Sequence, residues 1–412
     1  MDLKDRLARL DRLTRRPGAA VAGGEADGGA AVPVARPLAD RLKALGLSRR
    51  DGPQGPVWSR DLRDDLQPRG RRTPDFSGFF PRDGALCPGP EELLFLDVET
   101  TGLTGGTGTI AFLVGVSWWT GSQLVTRQFF LPDPGHEAAM LAEVGRTAAG
   151  RKVAVTFNGT AFDLPLLRTR ALVTRSADPL TGLGGWDLLT AGRRLWRRSF
   201  ADCRQQTLET EVCRLQRGPG DIEGSRIPQA WFDFLGGSGD EILGRVFTHN
   251  HRDMIGMAEL FLRVWDRAEI LARPEAAPSA LQWQEAWSLA RICDRRGQRE
   301  PACTWIALAL DLLPGEDRWT GAEPDAVQRF WREAVRIGKR AGRHGLVERI
   351  LGMALRPSPG EPWLHREAAI LYEHRLHRLD MALEHAFCSG EQARVLRLQA
   401  KHLRAAGDQG SG

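Results

Sequence analysis

The run LLFLDV at residues 93–98 constrains this chain more than any other stretch. Apolar residues interrupted by a single acid read as a strand covered on both faces. Such a strand requires a sheet with helices packed on it. Residues two apart in a strand point to the same side, so Asp97 and Glu99 project together from its end. The following Thr-Thr-Gly supplies a turn.

More strands and helices follow at short intervals. Residues 110–119 and 124–131 read as two further strands joined by turn-like links, an antiparallel meander with the first. Residues 136–148 read as a helix, 152–157 as a fourth strand and 162–173 as a second helix, which makes a mixed sheet flanked by helices. Helices are expected near 188–196 and 208–215, with Gly and Pro after them. Residues 254–272 form an amphipathic helix that closes the domain, with Asp253 at its start.

The flanks differ in character. Residues 2–16 place Leu3, Leu7, Leu10 and Leu13 at helical spacing, and 17–31 read as a Gly/Ala-rich linker. Residues 37–90 carry a short helical pattern and then many Pro, Gly and Arg, so little regular structure is expected across 1–90. After 273–278 the pattern is helical throughout: 280–295, 301–313, 324–341, 345–355, 362–376, 379–388 and 391–405. Paired short helices at a period in the thirties suggest a tetratricopeptide-like array over 279–406, a surface suited to a protein partner.

Composition excludes some classes. The 412 residues suffice for two or three domains. A net charge of +5 tolerates a polyanionic partner without demonstrating one. Cysteines 87, 203, 213, 293, 303 and 388 show no CxxC spacing, so they read as reduced thiols rather than a zinc site or disulfide frame. The first residues lack the apolar core of a secretory signal, and no apolar run approaches the ~20 residues of a membrane span. A cytoplasmic protein is the simplest reading.

Two more acids complete the chemistry. Asp163 follows the apolar run of strand four in VAVTFNGTAFDLPLL, and Asp253 ends THNHRD. If the fold gathers Asp97, Glu99, Asp163 and Asp253, they repel one another and call for cations. Hard oxygen donors suit Mg²⁺ or Mn²⁺. Two such ions about 3.5–4 Å apart are a common device for phosphodiester cleavage.

The motifs carry a resemblance. LDVETTG resembles the first exonuclease motif of the DEDD proofreading superfamily. Asn158 to Asp163, NGTAFD, resembles its NxxxFD motif, in which Asn158 holds the turn and Phe162 packs inward. That superfamily closes with a tyrosine four residues before the last Asp or a histidine five before it. Here His249 stands four before Asp253, and the single tyrosine, Tyr372, lies far away. His249 is a candidate to orient or deprotonate the attacking water, because imidazole titrates near neutrality; the plainer reading leaves water activation to the metals. The order of WDLLTAGRRLW, DCRQQTLETEV, DIEGSRIPQAWFDFL and THNHRD is similar to the YprB-type ribonuclease H-like family over 91–272. The resemblance implies a ribonuclease H-like α/β fold with a five-stranded mixed sheet, helices on both faces and a helical C-terminal region. It also implies that Asp97, Glu99, Asp163 and Asp253 are the ligands of two Mg²⁺ or Mn²⁺ ions.

The expected activity is metal-dependent 3′–5′ exonucleolysis of DNA or RNA at a single-stranded end. Two alternatives use the same residues: a nucleic-acid-binding and protein-interaction platform with little catalysis, and a structure-selective endonuclease. Arg193, Arg194, Arg197 and Arg198 surround Trp196. They read first as a solvated helix face with the tryptophan packed inward, and second as a strand-binding patch. Asp187 is a candidate support for the site or a helix cap. The Gly-rich stretch 102–108 lacks the ending of a phosphate loop and reads as a hairpin turn.

Overall fold

The structure, a computed structural model, describes residues 36–102, 108–218, 220–315 and 323–409. The helix expected at 2–16, the linker at 17–31 and the centre of the 102–108 turn lie outside them. The described chain divides into two compact units. One holds residues up to Thr190 together with Arg204–Trp265; the other holds Ala191–Cys203 and residues from Asp266 onward.

The first unit is built on one mixed sheet in the order β1-β2-β5-β4-β3-β6-β7. Its strands are β1 (Ser48–Gly52), β2 (Gly55–Asp64), β3 (Leu93–Thr100), β4 (Ala111–Thr120), β5 (Gln123–Phe130), β6 (Val153–Thr156) and β7 (Gly184–Asp187). β3 runs antiparallel to β4 and parallel to β6, and β6 runs parallel to β7. The meander and the mixed sheet match the expectation, and β3 to β6 fall within a residue or two of it.

The sheet has seven strands where five were expected; residues 37–90 hold the short helix that was read there, but also two strands that were not. After helix α1 (Leu38–Ala44), β1 and β2 form a hairpin that pairs β2 with β5. The physical reason for the miss is edge chemistry. β1 is exposed along nearly its whole length and reads SRRDG, because charged residues keep an open edge from pairing with other chains. The segment that follows β2 supplies Phe76, Phe79 and Phe80, all buried. Phe76 and Phe80 pack on Trp186 with ring centroids 4.9 and 5.1 Å apart, and Phe76 also meets Phe261 at 5.3 Å.

Besides α1, the helices of this unit are α2 (Glu137–Ala148), α3 (Asp163–Val173), the start of α4 (Leu188–Trp196), α5 (Gln205–Leu208), α6 (Ile227–Leu235) and α7 (Asp240–Ile270) as far as Trp265. A π-helical turn at Glu209–Cys213 stands where one continuous helix was expected over 208–215. α7 has 31 residues and begins fourteen positions before 254, so Asp253 sits within it and does not open it. Buried Leu243, Val246 and Phe247 extend the helix toward its N-terminus. The polar THNHRD segment between them and Met254 hides this continuity in the sequence. One buried ion pair ties two helices together: Arg170 of α3 donates to Glu137 of α2 at 2.6 Å.

The second unit is helical: α8 (Trp283–Arg295), α9 (Arg299–Leu312), α10 (Glu323–Arg340), α11 (His344–Leu355), α12 (Pro362–His374), α13 (Leu379–Ser389) and α14 (Gln392–Gln409). Short loops join them in pairs, and the pairs begin at 283, 323 and 362. Small residues let neighbours approach closely, as in the cluster of Ala369, Ala382, Ala386, Val395 and Leu398. Trp196 is buried and donates to Glu285 at 3.0 Å, so it packs inward. All six cysteines are free thiols. No helix of the described residues is long and apolar enough to cross a membrane.

Candidate active site

Asp97 lies at one end of a row that crosses four strands. Across the ladder Asp97 of β3 faces Gly115 of β4, Gly115 faces Gln128 of β5, and Gln128 faces Arg60 of β2. Cross-strand partners share a face of the sheet. Asn250 of α7 lies over this row. Its amide donates to Asp97 at 2.7 Å and accepts from Gln128 at 2.8 Å. Gln128 in turn accepts from Arg60 at 2.7 Å. A Cβ on residue 115 would stand 2.4 Å from Asn250 Oδ1, so glycine there is what admits the asparagine. One carboxylate oxygen of Asp97 is thus held by a fully buried amide.

Asp163 is positioned by a turn. Strand β6 ends at Thr156, and Asn158 takes the left-handed conformation at φ 63°. Asp187, at the end of β7, clamps this turn. It accepts from the Asn158 backbone N–H at 2.8 Å and from the Thr160 hydroxyl at 2.5 Å. It also accepts from the Leu189 N–H at 3.0 Å, so it caps α4 as well. Of the two roles considered for Asp187, the helix cap is present, and the same carboxylate holds the turn that precedes Asp163. Asn158 serves the turn through its backbone N–H. Phe162 does not pack inward: it is 54% exposed, because Leu164 and Leu167 of α3 fill the core side beside it.

Asp253 and His249 lie one helical turn apart on α7, with His249 Nε2 3.3 Å from Asp253. His249 Nδ1 is 2.7 Å from Asp221. Arg217 bridges the group, bonded to Asp253, to Glu209 at 2.9 Å and to Asp221 at 3.3 Å. Glu209 fits there because residue 256 of α7 is glycine; a Cβ would overlap its carboxylate. His251 points elsewhere and meets Asp64 at 2.9 Å.

Electrostatics show that Asp97 and Glu99 feel the other acids. Burial, and then the fields of Asp253 and Asp163, hold the Asp97 carboxyl well above the usual range. Glu99 is raised in the same way by burial and by Asp97, Asp253 and Asp163. Asp163 is pushed up to about 7, by burial first and Asp187 second. Burial also raises Asp253, against the opposing pull of His249 and Arg217. Asp221 behaves differently. Burial works against its charge, but the His249 hydrogen bond and the His249 and Arg217 charges more than offset it, so its pKa is lowered.

Asp97 and Glu99 therefore lie in the fields of Asp253 and Asp163, while the charge that raises Asp163 is that of Asp187. Gly115, Gln128, Asn250, Asp221 and Arg217 were not anticipated. A glycine inside an apolar strand was the one available signal among them. The donor set is hard oxygen under mutual repulsion, which suits a divalent cation. Among the described residues, no three His, Cys, Asp or Glu side chains are drawn into a metal-ligand cluster. The Asn250 amide and the Arg217 guanidinium take up oxygens of Asp97 and Asp253 and offset part of the repulsion.

Comparison with known proteins agrees with this architecture. Residues 94–265 match RNase_H_2, a family of the RNase_H superfamily. Over 204 residues the chain is 33% identical to the uncharacterised protein YprB of Bacillus subtilis (strain 168), covering 48% of this chain and 47% of that protein. The chain thus spans about half the length of the curated relative it matches.

Proposed function

We propose that the RNase_H superfamily domain at residues 94–265 hydrolyses phosphodiester bonds of DNA or RNA, as a 3′–5′ exonuclease dependent on Mg²⁺ or Mn²⁺. The observation that carries this reading is that Asp97 and Glu99 at the end of β3 are raised by burial and by the charges of Asp253 and Asp163. Buried acids that repel one another are unstable without counter-charge, and two divalent ions held by these four side chains would supply it. When bound, such ions lower the pKa of water and offset charge on the leaving oxygen.

The remaining residues have definite tasks in this reading. Asp221 holds His249 Nδ1, which leaves Nε2 facing Asp253 as the nitrogen that takes a proton from water. Asn250 keeps Asp97 oriented, and the Asp187 clamp fixes the approach of Asp163. Phe162, exposed beside Asp163, offers a ring on which a terminal base stacks.

A second reading draws on Arg217. Its guanidinium already neutralises Asp253, which favours a nucleic-acid-binding platform with weak catalysis. Incubation with 5′-labelled single-stranded DNA and RNA in Mn²⁺, Mg²⁺ or EDTA separates the possibilities. A ladder shortening one nucleotide at a time, absent in EDTA, is expected. Discrete internal cuts would replace the exonuclease with an endonuclease, and retention without cleavage would favour the platform.

A further inference from the structure

The helical unit carries a basic cleft that hydrolysis leaves without a task. Arg197 and Arg198, just beyond α4, form one wall. Arg291 of α8 and Arg329, Arg332 and Arg336 of α10 complete it. Glu333 is the one carboxylate among the lining residues. The cavity measures about 740 Å³. Past Arg332 and Arg336, which it shares, lies a second hollow of about 400 Å³ lined by Lys339, Arg340, Trp363 and Glu367, where Glu367 pairs with Lys339 at 2.7 Å. Positions 329, 332, 336, 339 and 340 follow helical spacing, so the basic side chains run along one side of α10. Val327, Phe330, Trp331 and Ala334 of the same helix are buried.

A basic stripe on a helix is usually just a solvated face. Two observations set this one apart. It is concave, walled by arginines from three segments of chain. Its charge is also incompletely neutralised. Glu333 is shared by Arg291 at 3.1 Å and Arg336 at 3.3 Å, and Arg332 reaches Glu361 only at 3.9 Å. Arg336 and Arg340 share Asp294, at 3.2 and 3.1 Å. Among the described residues Arg197, Arg198 and Arg329 have no carboxylate partner. Arg198 instead lies 4.7 Å over the ring of Trp287. Its pKa is lowered to about 10, by burial first and then by Arg291, with Arg197 and Arg295 adding to the repulsion and Glu333 opposing it. An anion entering the cleft relieves that repulsion.

We propose that this cleft binds single-stranded nucleic acid, with backbone phosphates on the arginines and a base against the Arg332–Trp363 stack. Guanidinium forks match phosphate oxygens in pairs. Arg332 lies 4.4 Å over Trp363, which makes a flat platform of the kind a base covers. The proposal requires no cleavage and survives failure of the nuclease reading.

The test is fluorescence anisotropy of a labelled single-stranded oligonucleotide with the full chain in EDTA, where hydrolysis is absent. Arg329→Glu with Arg332→Glu is expected to weaken binding roughly tenfold or more and to lower the salt dependence by about one unit for each arginine removed. Arg197→Glu, an exposed position on the facing wall, is expected to weaken binding in the same direction. A thermal melt like wild type shows that the variants remain folded. Unchanged affinity and salt slope in both cleft variants overturn the proposal. So does a poly-glutamate of equal charge that displaces the oligonucleotide as well as unlabelled strand does, because the cleft then fits an acidic protein.

Discussion

Asn250 reaches Asp97 only because residue 115 is glycine. Gly115→Ala places a methyl 2.4 Å from the asparagine oxygen, so either the amide swings away or the strand shifts. Overpacking of this kind costs about 1–3 kcal/mol. A lowered melting temperature together with a larger relative fall in cleavage rate is the expected outcome; a variant with wild-type rate would show that the amide does not orient Asp97. The four acids were legible in the sequence because each sits in a local context: DxE ending an apolar strand, FD opening a helix, and an Asp one turn after a histidine. Asn250 and Gly115 were not legible as partners. They meet through the register of β3, β4 and β5 and the placement of a distant helix, which a single chain of letters does not contain. Phe162 was misread for a related reason, since an aromatic beside a helix start gives no sign of which side the core occupies.

At the scale of elements, β6, β7, α3 and α4 meet at Asp187. Its carboxylate holds Asn158 and Thr160 in the turn that delivers Asp163. Asp187→Ala leaves these donors without their acceptor, a loss of about 1–3 kcal/mol. Cleavage is expected to fall by more than the melting temperature alone explains, and to fall less in Asp187→Asn, which keeps an acceptor oxygen. The Glu137–Arg170 pair is a purely structural contrast. Arg170→Ala strands a buried carboxylate between α2 and α3, an expected cost of about 3–5 kcal/mol, seen as a lower denaturation midpoint. The parallel and meander strands could be read from apolar runs. The β1–β2 hairpin could not, because an edge strand is selected for charge, and β7, GGWD, is too short and glycine-rich to stand out.

For the molecule as a whole, the buried acids set a pH dependence. The ordinary value of Asp163 is 3.8, and the folded protein raises it to about 7. Below about 4 the group is protonated in both states and folding loses nothing. As pH rises toward 7 the unfolded chain releases its proton while the folded site retains one, so stability falls across that window. The raised Asp97 and Glu99 add in the same direction. In EDTA the melting temperature of the first unit is therefore expected to decline between about pH 4 and pH 7, and Mn²⁺ is expected to flatten the decline. A melting curve that rises over this range would show that the acids are already neutralised. The central claim, that Asp97, Glu99, Asp163 and Asp253 form one cation-dependent hydrolytic centre, has a direct measurement. It is the single-turnover cleavage rate of single-stranded DNA and RNA in Mn²⁺ by wild type and by Asp97→Asn at equal protein concentration. Loss of about a thousandfold or more in the variant, matched by wild type in EDTA, is the predicted result; cleavage by Asp97→Asn at the wild-type rate would contradict it.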